Sequence, residues 1–560
     1  MRYTTRYILM ALIGAILAVF LIWPIVRAIG QGFYYQDHFT FYWLMDVFRD
    51  VSTREWLINA GWVAVTTTAL TVILALPLAM LADRVNFRGK AIASALLLVP
   101  MILPPFVGAI GFKQLFSLRL GAVNLIFAHL GLPQVDFLAS GFWAVVVLET
   151  LHLYPIMYLN AVAALANIDP AMAEAGRNLG ASRWEVFRRI TLPLMRPGLF
   201  AGATIVFIWS FCELGTPLML NYVQVLPVKI FEGLNDLNPS ANTRTFAMVF
   251  VMLSSSVGLY ALGRVLFGQA GGAMAGRASI AAVTNRAGWL TSLGCWAVFG
   301  LVTFLAVMPH IGVILLSVAE RWDDTILPAQ YTARHLVEVF HRSETWDSIL
   351  NSLRYASIST VACAVLGMLI AYLVVRLRVR GASLLDSVSM LPLAVPGLVM
   401  AAGYVAITLP NSFLESIGPT KDPTLLLIIA YTIRRLPYMV RSVSAGLQQT
   451  SETLEEAAQN LGASRPRAVM KITVPLVMAN ILAGGILAFS FNMLEVSDSL
   501  ILAQTSDYYP ITKQLYVLSG VGTTVNLAAA LGVYGMILLA GTLLITNVLL
   551  GKRMGQLFRV

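Results

Sequence analysis

The sequence predicts an all-α polytopic membrane protein with about 12 transmembrane helices in two parallel six-helix repeats. Three observations predict this class. Hydrophobic residues make up 58% of the 560 residues and charged residues only 12%, which is too apolar for an ordinary soluble protein. Apolar runs long enough to cross a bilayer recur along the chain. The two halves also share residues at constant separations, which indicates an internal repeat.

Each predicted span is an apolar run of about twenty residues. The first half contains runs at 8–29, 57–81, 91–112, 140–165, 199–220 and 245–267. The second half contains runs at 289–318, 349–375, 385–409, 423–446, 480–503 and 525–550. The run nearest the N-terminus is long and has no small-residue cleavage site, so we expect a retained first span rather than a signal peptide.

The basic residues predict the orientation of the chain. The formal net charge of +10 could suggest a nucleic-acid partner, but the basic residues lie in short loops between the apolar runs. Roughly twice as many Lys and Arg residues fall in loops on the side of the N-terminus as on the other side. We therefore expect cytoplasmic N- and C-termini, the lipid bilayer as the surroundings, and no nucleic-acid partner.

The repeat predicts three segments: a first half at 1–267, a cytoplasmic linker at 268–288 and a second half at 289–560. The linker is rich in Gly and Ala. At a separation of 292 residues (351 − 59), the first half recurs in the second as Asn59 and Asn351, Arg84 and Arg376, Pro100 and Pro392, and Gly111 and Gly403. Because each half has an even number of spans, the two halves point the same way across the membrane.

A polar loop interrupts each half, at about 166–197 and 447–478. At a separation of 282 residues (456 − 174), the first loop recurs in the second as Glu174 and Glu456, Ala175 and Ala457, Gly180 and Gly462, and Pro193 and Pro475. The pattern predicts a helix, a bend and a second helix, with the glycine as the left-handed residue at the bend.

The ends of these loop helices have their own signals. In the first loop, Asp169 is a predicted N-cap, Ser182 and Glu185 form a predicted capping box, and Pro193 is expected to end the second helix. In the second loop, Ser451 stands at the cap position, and Pro466-Arg467 replaces the capping-box glutamate.

This spacing resembles the cytoplasmic EAA loop of the permease subunits of bacterial binding-protein-dependent ABC importers. Gly176 stands where the motif has its second alanine, and Val474 where it has leucine. A single chain with two such halves is most similar to the ferric-iron permeases. The resemblance implies an inner-membrane location, a periplasmic solute-binding protein, and two copies of an ABC ATPase subunit, each taking one loop through Glu174, Ala175, Gly180 and Pro193 or through Glu456, Ala457, Gly462 and Pro475.

The chain has no G-x-x-x-x-G-K-[ST] phosphate loop, no H-E-x-x-H motif and no paired Cys/His ligand spacing. We therefore expect a transporter subunit with no ATPase site, no catalytic residues, no catalytic metal and no bound cofactor. ATP would bind to the partner ATPase. The cysteines Cys212, Cys295 and Cys363 lie in apolar runs and are expected to be core residues.

Charged residues inside the spans are candidates for the translocation pathway. Glu213 and Glu495 occupy matching repeat positions, and a carboxylate within a span costs about 2.5 to 3.5 kcal/mol unless it faces a partner or water. Glu149 and His152 match Tyr431 and Arg434. The alternative for Glu213 and Glu495 is a hydrogen bond between helices or placement at the membrane interface. The alternative for the other candidates is a structural contact with a neighbouring residue.

Prolines interrupt the third span of each half, namely Pro100, Pro104, Pro105, Pro392 and Pro396. They predict either gating helices or simple packing kinks. The function we expect is import of a small solute, with ferric iron favoured. Thiamine, polyamine and phosphonate or sugar-phosphate remain open as cargoes. A twelve-helix secondary transporter is the alternative class, although such proteins place their long cytoplasmic loop between the halves.

Overall fold

The computed structural model describes residues 3–35, 38–236, 239–267 and 287–550. Nearly all of the predicted linker at 268–288 therefore lies outside the described residues. Within these ranges the regular structure is helical apart from two short antiparallel strand pairs, Tyr34–Tyr35 with His38–Phe39 and Ala319–Arg321 with Gln330–Tyr331. The predicted all-α class is confirmed.

The chain forms two compact units. The first-half unit contains Val51–Lys229 and Ser254–His335. The second-half unit contains Ile230–Leu253, the described residues before Val51 and those from Leu336 onward. Each unit therefore includes the first span of the other sequence half.

The helices are as follows. The first-half unit contains Val51–Arg84, Lys90–Leu96, Val99–Ile102, Pro105–Phe116, Ala122–His129, Phe142–Ala166, Pro170–Asn178, Arg183–Val186, the π-helical turn Phe187–Thr191, Leu192–Phe211, Gly215–Met219 and Trp289–Ser317. Helices with residues in both units are Leu226–Leu234, Pro239–Phe267 and Arg334–His341.

The second-half unit contains Tyr3–Leu17, Trp23–Gln31, Tyr42–Arg49, Ser343–Ala371, Ala382–Ser389, Leu391–Ala394, Gly397–Ile407, Thr424–Gln449, Thr453–Asn460, Arg465–Ala468, Val474–Leu476, Met478–Met493, Ser497–Leu502, Ile511–Ser519 and Val525–Leu550. Its π-helical turns are Ala18–Ile22, Tyr372–Arg376 and Val469–Thr473, and its short 3₁₀ turns are Glu415–Ile417, Ser506–Tyr508 and Gly522–Thr524.

Within the described ranges, eight helices are long and apolar enough to cross a membrane, or up to 11 if each of three sharply bent helix pairs is one span. These candidates coincide with predicted runs. The remaining predicted run, 423–446, forms the 26-residue helix Thr424–Gln449. That helix has the length of a span, but it carries Arg434, Arg435 and Arg441.

The third predicted span is broken in both halves. Lys90–Ile102 and Pro105–Phe116 meet at 93°, and Ala382–Ala394 and Gly397–Ile407 meet at 107°. The residue before each break, Leu103 or Val395, is extended because it precedes a proline. The prolines therefore produce sharp breaks rather than gentle kinks.

Each broken span packs against the first span of the other sequence half. In the first-half unit, the backbone around Pro309 leaves no room for a Cβ atom at Gly111. In the second-half unit, a Cβ atom at Gly403 would lie 2.8 Å from the carbonyl oxygen of Pro24. Gly111 and Gly403 are repeat partners, so glycine allows the same close backbone approach in both units.

The fifth span of each half is shorter than predicted. The helices end at Phe211 and Met493, and short separate helices follow at Gly215–Met219 and Ser497–Leu502. The predicted runs 199–220 and 480–503 each include this break. As a result, Glu213 and Glu495 lie in the breaks rather than inside a continuous helix.

Candidate functional site

The first EAA loop has the predicted helix, bend and helix. Asp169 accepts a hydrogen bond from the Ala171 N–H at 2.9 Å and so caps Pro170–Asn178. Gly180 has φ +88°, the left-handed conformation that ends the helix. The capping box is also present, because Ser182 Oγ accepts from the Glu185 N–H at 3.2 Å and Glu185 accepts from the Ser182 N–H at 2.9 Å.

The prediction that Pro193 ends the second helix was wrong. The chain is helical from Arg183 to Phe211 and passes through the π-helical turn Phe187–Thr191 just before the proline. Leu192 N–H donates to the Phe187 carbonyl five residues back, which widens the turn. Proline is tolerated there because it stands in the first turn of the segment that follows. The first loop therefore continues directly into a membrane span.

The second loop repeats this plan with weaker caps. Thr453–Asn460 ends before Gly462, whose φ is +90°. The predicted cap position is off by one residue, because Glu452 is the N-cap and makes no side-chain capping bond. Ser451 Oγ, one residue earlier, accepts from the Thr453 N–H at 3.3 Å. Ser464 makes no capping hydrogen bond, in keeping with the missing glutamate. The helix Arg465–Leu476 then meets Met478–Met493 at 70°.

The tip of each loop exposes a leucine. Leu179 and Leu461 stand directly before the left-handed glycines, and each side chain is 89% exposed. Glu174 and Glu456 are also exposed, on the preceding helix. Both loops therefore carry a large apolar side chain that is open to its surroundings at the bend. The sequence prediction did not include these leucines, although a leucine before the glycine in both copies was a usable signal.

The inner faces of the two loops are anchored by different chemistry. In the first loop, a Cβ atom at Gly176 would lie 2.7 Å from Ile190 Cδ1, so the glycine that departs from the motif makes room for Ile190. In the second loop, Glu455 is buried and ion-paired with Arg376 at 3.4 Å. Glu455 also accepts hydrogen bonds from Tyr372 Oη at 3.0 Å and Thr473 Oγ1 at 2.6 Å.

The Glu455 anchor ties the second loop to the end of a span. Arg376 is the last residue of the span Ser343–Arg376, and it also donates to the Thr450 carbonyl at 2.8 Å. The equivalent of Glu455 in the first loop is Ala173, so the first loop has no such ion pair. Sequence reasoning missed Glu455, which lies next to the motif glutamate Glu456.

The pathway candidates of the first half have partners inside their own unit. Ser210 Oγ donates to one oxygen of the buried Glu149 carboxylate, and the other oxygen has no hydrogen bond with any described residue. Glu213 Oε1 accepts from the N–H groups of Gly215 and Thr216 at 3.0 and 3.2 Å. Glu213 therefore caps the short helix Gly215–Met219.

Two histidines satisfy the backbone of the broken third span. His152 Nδ1 lies 2.9 Å from the Pro100 carbonyl oxygen, and His310 Nε2 lies 3.1 Å from that of Pro104. Because a carbonyl oxygen only accepts, each of these ring nitrogens carries the hydrogen. For His152, this contact with the backbone is the structural alternative to a role in the translocation pathway.

The matching residues of the second half form a buried ion network. Glu495 accepts from Arg435 and lies 3.3 Å from Arg434 Nη1, and Asp498 lies 3.1 Å from Arg434. Tyr431 Oη and Ser499 Oγ are 2.6 Å apart in the same region. The Arg434 guanidinium also packs against Gly397, the first helical residue after the break. Thus His152 and Arg434, at matching positions, both contact the broken third span of their own half.

The family of inner membrane components of binding-protein-dependent transport systems matches this sequence twice, over residues 72–268 and 363–556. Together these matches cover more than half of the chain. The chain belongs to this family. This membership excludes the secondary transporter that the span count alone left open, and it confirms the fused two-repeat permease architecture.

Curated relatives of this permease extend along most of its length. The ferric transport system permease protein FbpB of Actinobacillus pleuropneumoniae is 26% identical over 93% of this chain and 71% of its own. The putative ferric transport system permease protein FbpB 1 of Haemophilus influenzae is 25% identical over 90% of this chain and 79% of its own. The thiamine transport system permease protein ThiP of Escherichia coli is 24% identical over 72% of each chain.

The structure brings some of the permease's predicted site residues together. Glu495 and Arg434 form an ion pair, whereas His152 bonds to backbone. Sequence reasoning missed Asp498, although its place three residues after Glu495 was a usable signal. Among the residues that the structure describes, no group of three or more His, Cys, Asp and Glu side chains is placed to hold a metal ion.

Proposed function

We propose that this permease serves a ferric-iron importer and that each EAA loop docks onto one copy of a separate ATPase subunit. One observation carries the docking proposal: both loops present an 89%-exposed leucine beside a left-handed glycine. Two similar loop tips would require two similar binding sites. A homodimeric ATPase would provide one such site on each subunit. Burial of each leucine would contribute about 1.5 to 3 kcal/mol.

The other motif residues have supporting roles in this proposal. The exposed carboxylates of Glu174 and Glu456 would meet basic side chains of the ATPase. Ala175 and Ala457 follow these glutamates, and their small side chains would keep each docking helix narrow. Arg183–Phe211 is one helix that contains Pro193. A displacement of the first loop by the ATPase would therefore move the fifth span with it as a rigid body. In the second loop, Pro475 lies just before the 70° bend.

The docking proposal is tested with single and double substitutions at the tips. We expect Leu179→Asp or Leu461→Asp to weaken copurification of the ATPase, and the double variant to abolish it, because a buried carboxylate without a partner is strongly unfavourable. Leu179→Met and Leu461→Met should behave like the wild type. Native mass spectrometry gives the stoichiometry, expected as two ATPase subunits per permease. Normal copurification of the double aspartate variant would contradict the proposal.

Ferric iron is the proposed cargo because the relatives that match along about nine-tenths of this chain are named as ferric permeases. A periplasmic binding protein would hold the ferric ion with its own ligands and deliver it. The excess of Lys and Arg in the loops on the N-terminal side supports cytoplasmic termini and cytoplasmic EAA loops. Glu213, Glu495, Glu149, His152 and Arg434 are the proposed pathway residues, because ionisable side chains at membrane depth face the bundle interior or a water-filled path.

The cargo is tested in proteoliposomes that contain the permease, its ATPase and its binding protein. We expect ATP-dependent uptake of radioactive ferric iron and no ATPase activity from the permease alone. Thiamine and a polyamine serve as competing cargoes in the same vesicles. Uptake of either one without ferric iron would overturn the cargo and leave the ATPase-docking proposal intact.

A further inference from the structure

A cavity of about 390 Å³ opens in the first-half unit, lined in part by Lys113, Ser117, Ser140, Gly141 and Asn221. It lies at the N-terminal end of the helix Phe142–Ala166, whose other end leads to the first EAA loop. This helix has 25 residues, so the cavity is about 37 Å from the EAA loop. The cavity is therefore separate from the proposed ATPase-docking site.

The cavity carries an uncompensated positive charge. Within the ranges that the structure describes, the half-buried Lys113 ammonium makes no hydrogen bond or ion pair. The residues lining the cavity include no carboxylate, and the polar groups beside Lys113 are hydroxyls and an amide. A concave site with an ammonium and neutral hydrogen-bonding groups favours an anion.

The backbone at the cavity adds to this preference. Gly141 is the N-cap of Phe142–Ala166, has φ +65° and provides no side-chain cap. A Cβ atom at Gly141 would lie 2.9 Å from the Tyr222 ring, so the N-cap itself has no space for a capping side chain. The positive end of a 25-residue helix therefore faces the lysine's cavity, and no carboxylate lines that cavity. The acidic residue nearest to it in sequence, Asp136, accepts a hydrogen bond from the Leu138 N–H at 3.1 Å.

The second half differs from the first at the start of the helix that corresponds to Phe142–Ala166. The helix Thr424–Gln449 begins 282 residues after Phe142 (424 − 142), and Asp422 stands where the first half has Ser140. Asp422 Oδ1 accepts a hydrogen bond from the Thr424 N–H at 3.0 Å. The repeat partner of Lys113 is Val405. At these repeat positions the second half thus has a carboxylate and no lysine, whereas the first half has a lysine and no carboxylate.

We propose that the Lys113 cavity binds a carboxylate that comes from outside the chain and takes the place that Asp422 fills in the second half. The Lys113 ammonium would pair with the carboxylate, and Ser140 and Asn221 would donate hydrogen bonds to it. The carboxylate would come either from a small free anion or from an Asp or Glu side chain of another polypeptide. This site is independent of the cargo and of the ATPase.

The test measures thermal unfolding of the full chain in lipid nanodiscs, with sodium acetate or a blocked Ala-Asp-Ala tripeptide as the probe. Chloride holds the ionic strength constant, because exposed charges are sensitive to salt. We expect a saturable rise of about 2 °C for the wild type with at least one probe. Lys113→Met should lower the affinity at least about tenfold, as expected for loss of a charged partner. Lys421→Met, the control at an exposed lysine, should respond like the wild type.

A second variant supplies the carboxylate from within the chain. Ser140→Asp copies the second half, so it should raise the unfolding temperature without ligand and abolish the response to both probes. Ser140→Asn is its uncharged control and should retain a response. Because Ser140→Asp keeps Lys113, it decides the question if Lys113→Met does not fold.

The two probes distinguish the two possible sources of the carboxylate. Equal affinities for acetate and the tripeptide identify a site for small free carboxylates, whereas affinity at least about tenfold higher for the tripeptide, and absent for Ala-Asn-Ala, identifies a polypeptide side chain. The proposal is overturned if neither probe stabilises the wild type. It is also overturned if Lys113→Met or Ser140→Asp responds as the wild type does.

Discussion

Single residues at matching repeat positions have different surroundings in the two halves. Glu213 is bonded to backbone N–H groups, whereas Glu495 is held by two arginine side chains. The side chains of Glu495 and Asp498 are 4% and 1% exposed. The same residue type therefore acts as a helix cap in one half and as part of an ion network in the other.

The first residue-scale prediction compares these two glutamates. We expect Glu495→Gln to lower the free energy of unfolding by about 3 kcal/mol, because it leaves buried arginine charge uncompensated. Glu213→Gln should cost about 1 kcal/mol, because the amide oxygen can still accept from the backbone. Unfolding in detergent measures both. Equal losses would contradict the ion-network role of Glu495, and loss of uptake without loss of stability would favour the pathway role.

The second residue-scale prediction concerns pH. Lys513, in the short helix Ile511–Ser519, donates to the Leu500 carbonyl at 2.9 Å. Burial lowers the pKa of this side chain from 10.5 to about 8. Between these pH values the unfolded chain binds more protons than the folded chain, so stability should rise as pH rises from about 8.

Lys513→Met should remove this rise, and Lys421→Met should retain it, since Lys421 is exposed. The measurement is the unfolding temperature between neutral and alkaline pH at constant ionic strength. The wild-type stability could instead fall steadily over that interval, with the same slope in Lys513→Met. That result would show that Lys513 has the same pKa in the folded and unfolded chain.

At the scale of elements, the two EAA loops share their shape but differ in what holds them. The helix, the left-handed glycine and the second helix recur in both. The first loop has complete caps and packs Gly176 against Ile190, whereas the second has weaker caps and the buried Glu455–Arg376 pair. Local capping and a tertiary ion pair thus stabilise the same motif in different ways.

The element-scale prediction compares two adjacent glutamates of the second loop. Glu455→Ala should lower the free energy of unfolding by about 3 kcal/mol, because Arg376 is 5% exposed and would lose its buried partner. Glu456→Ala should change it by less than about 0.5 kcal/mol, because its side chain is exposed. Glu456→Ala should instead weaken ATPase copurification. The reverse pattern would assign docking to Glu455 and anchoring to Glu456.

At the scale of the whole molecule, the compact units do not follow the sequence halves. Thr4–Gln31 belongs to the second-half unit, and Trp289–Ser317 belongs to the first-half unit. These two spans are exchanged between the sequence halves. In each of them, the backbone at a proline lies close to a glycine of a broken third span. Each unit is therefore completed by a helix from the other half of the sequence.

This exchange predicts how a divided permease behaves. Fragments 1–267 and 289–560, coexpressed as separate chains, should copurify in a ratio of about 1:1, because each holds a span that the other unit needs. A tag on one fragment and mass analysis of the eluate measure this. Removing residues 1–50 from the first fragment should reduce the yield of the pair. Recovery of two independently stable fragments would contradict the exchange.

Much of this architecture is determined by the sequence alone. Span positions follow from apolar length, because every backbone polar group in a bilayer must bond within its own segment. The bends at Gly180 and Gly462 and the breaks at Pro104 and Pro396 follow from local backbone preference. The capping box at Ser182 and Glu185 lies within four residues, so a local pattern identified it.

Other features depended on long-range packing and were decided only by the tertiary structure. The exchange of first spans, the Glu455–Arg376 anchor and the pairing of Glu495 with Arg434 and Arg435 join residues far apart in the chain. The continuation of the helix through Pro193 also differed from the local signal, because a π-helical turn accommodates the proline. Short-range patterns determine which elements form, whereas the partners of buried charges depend on which elements pack together.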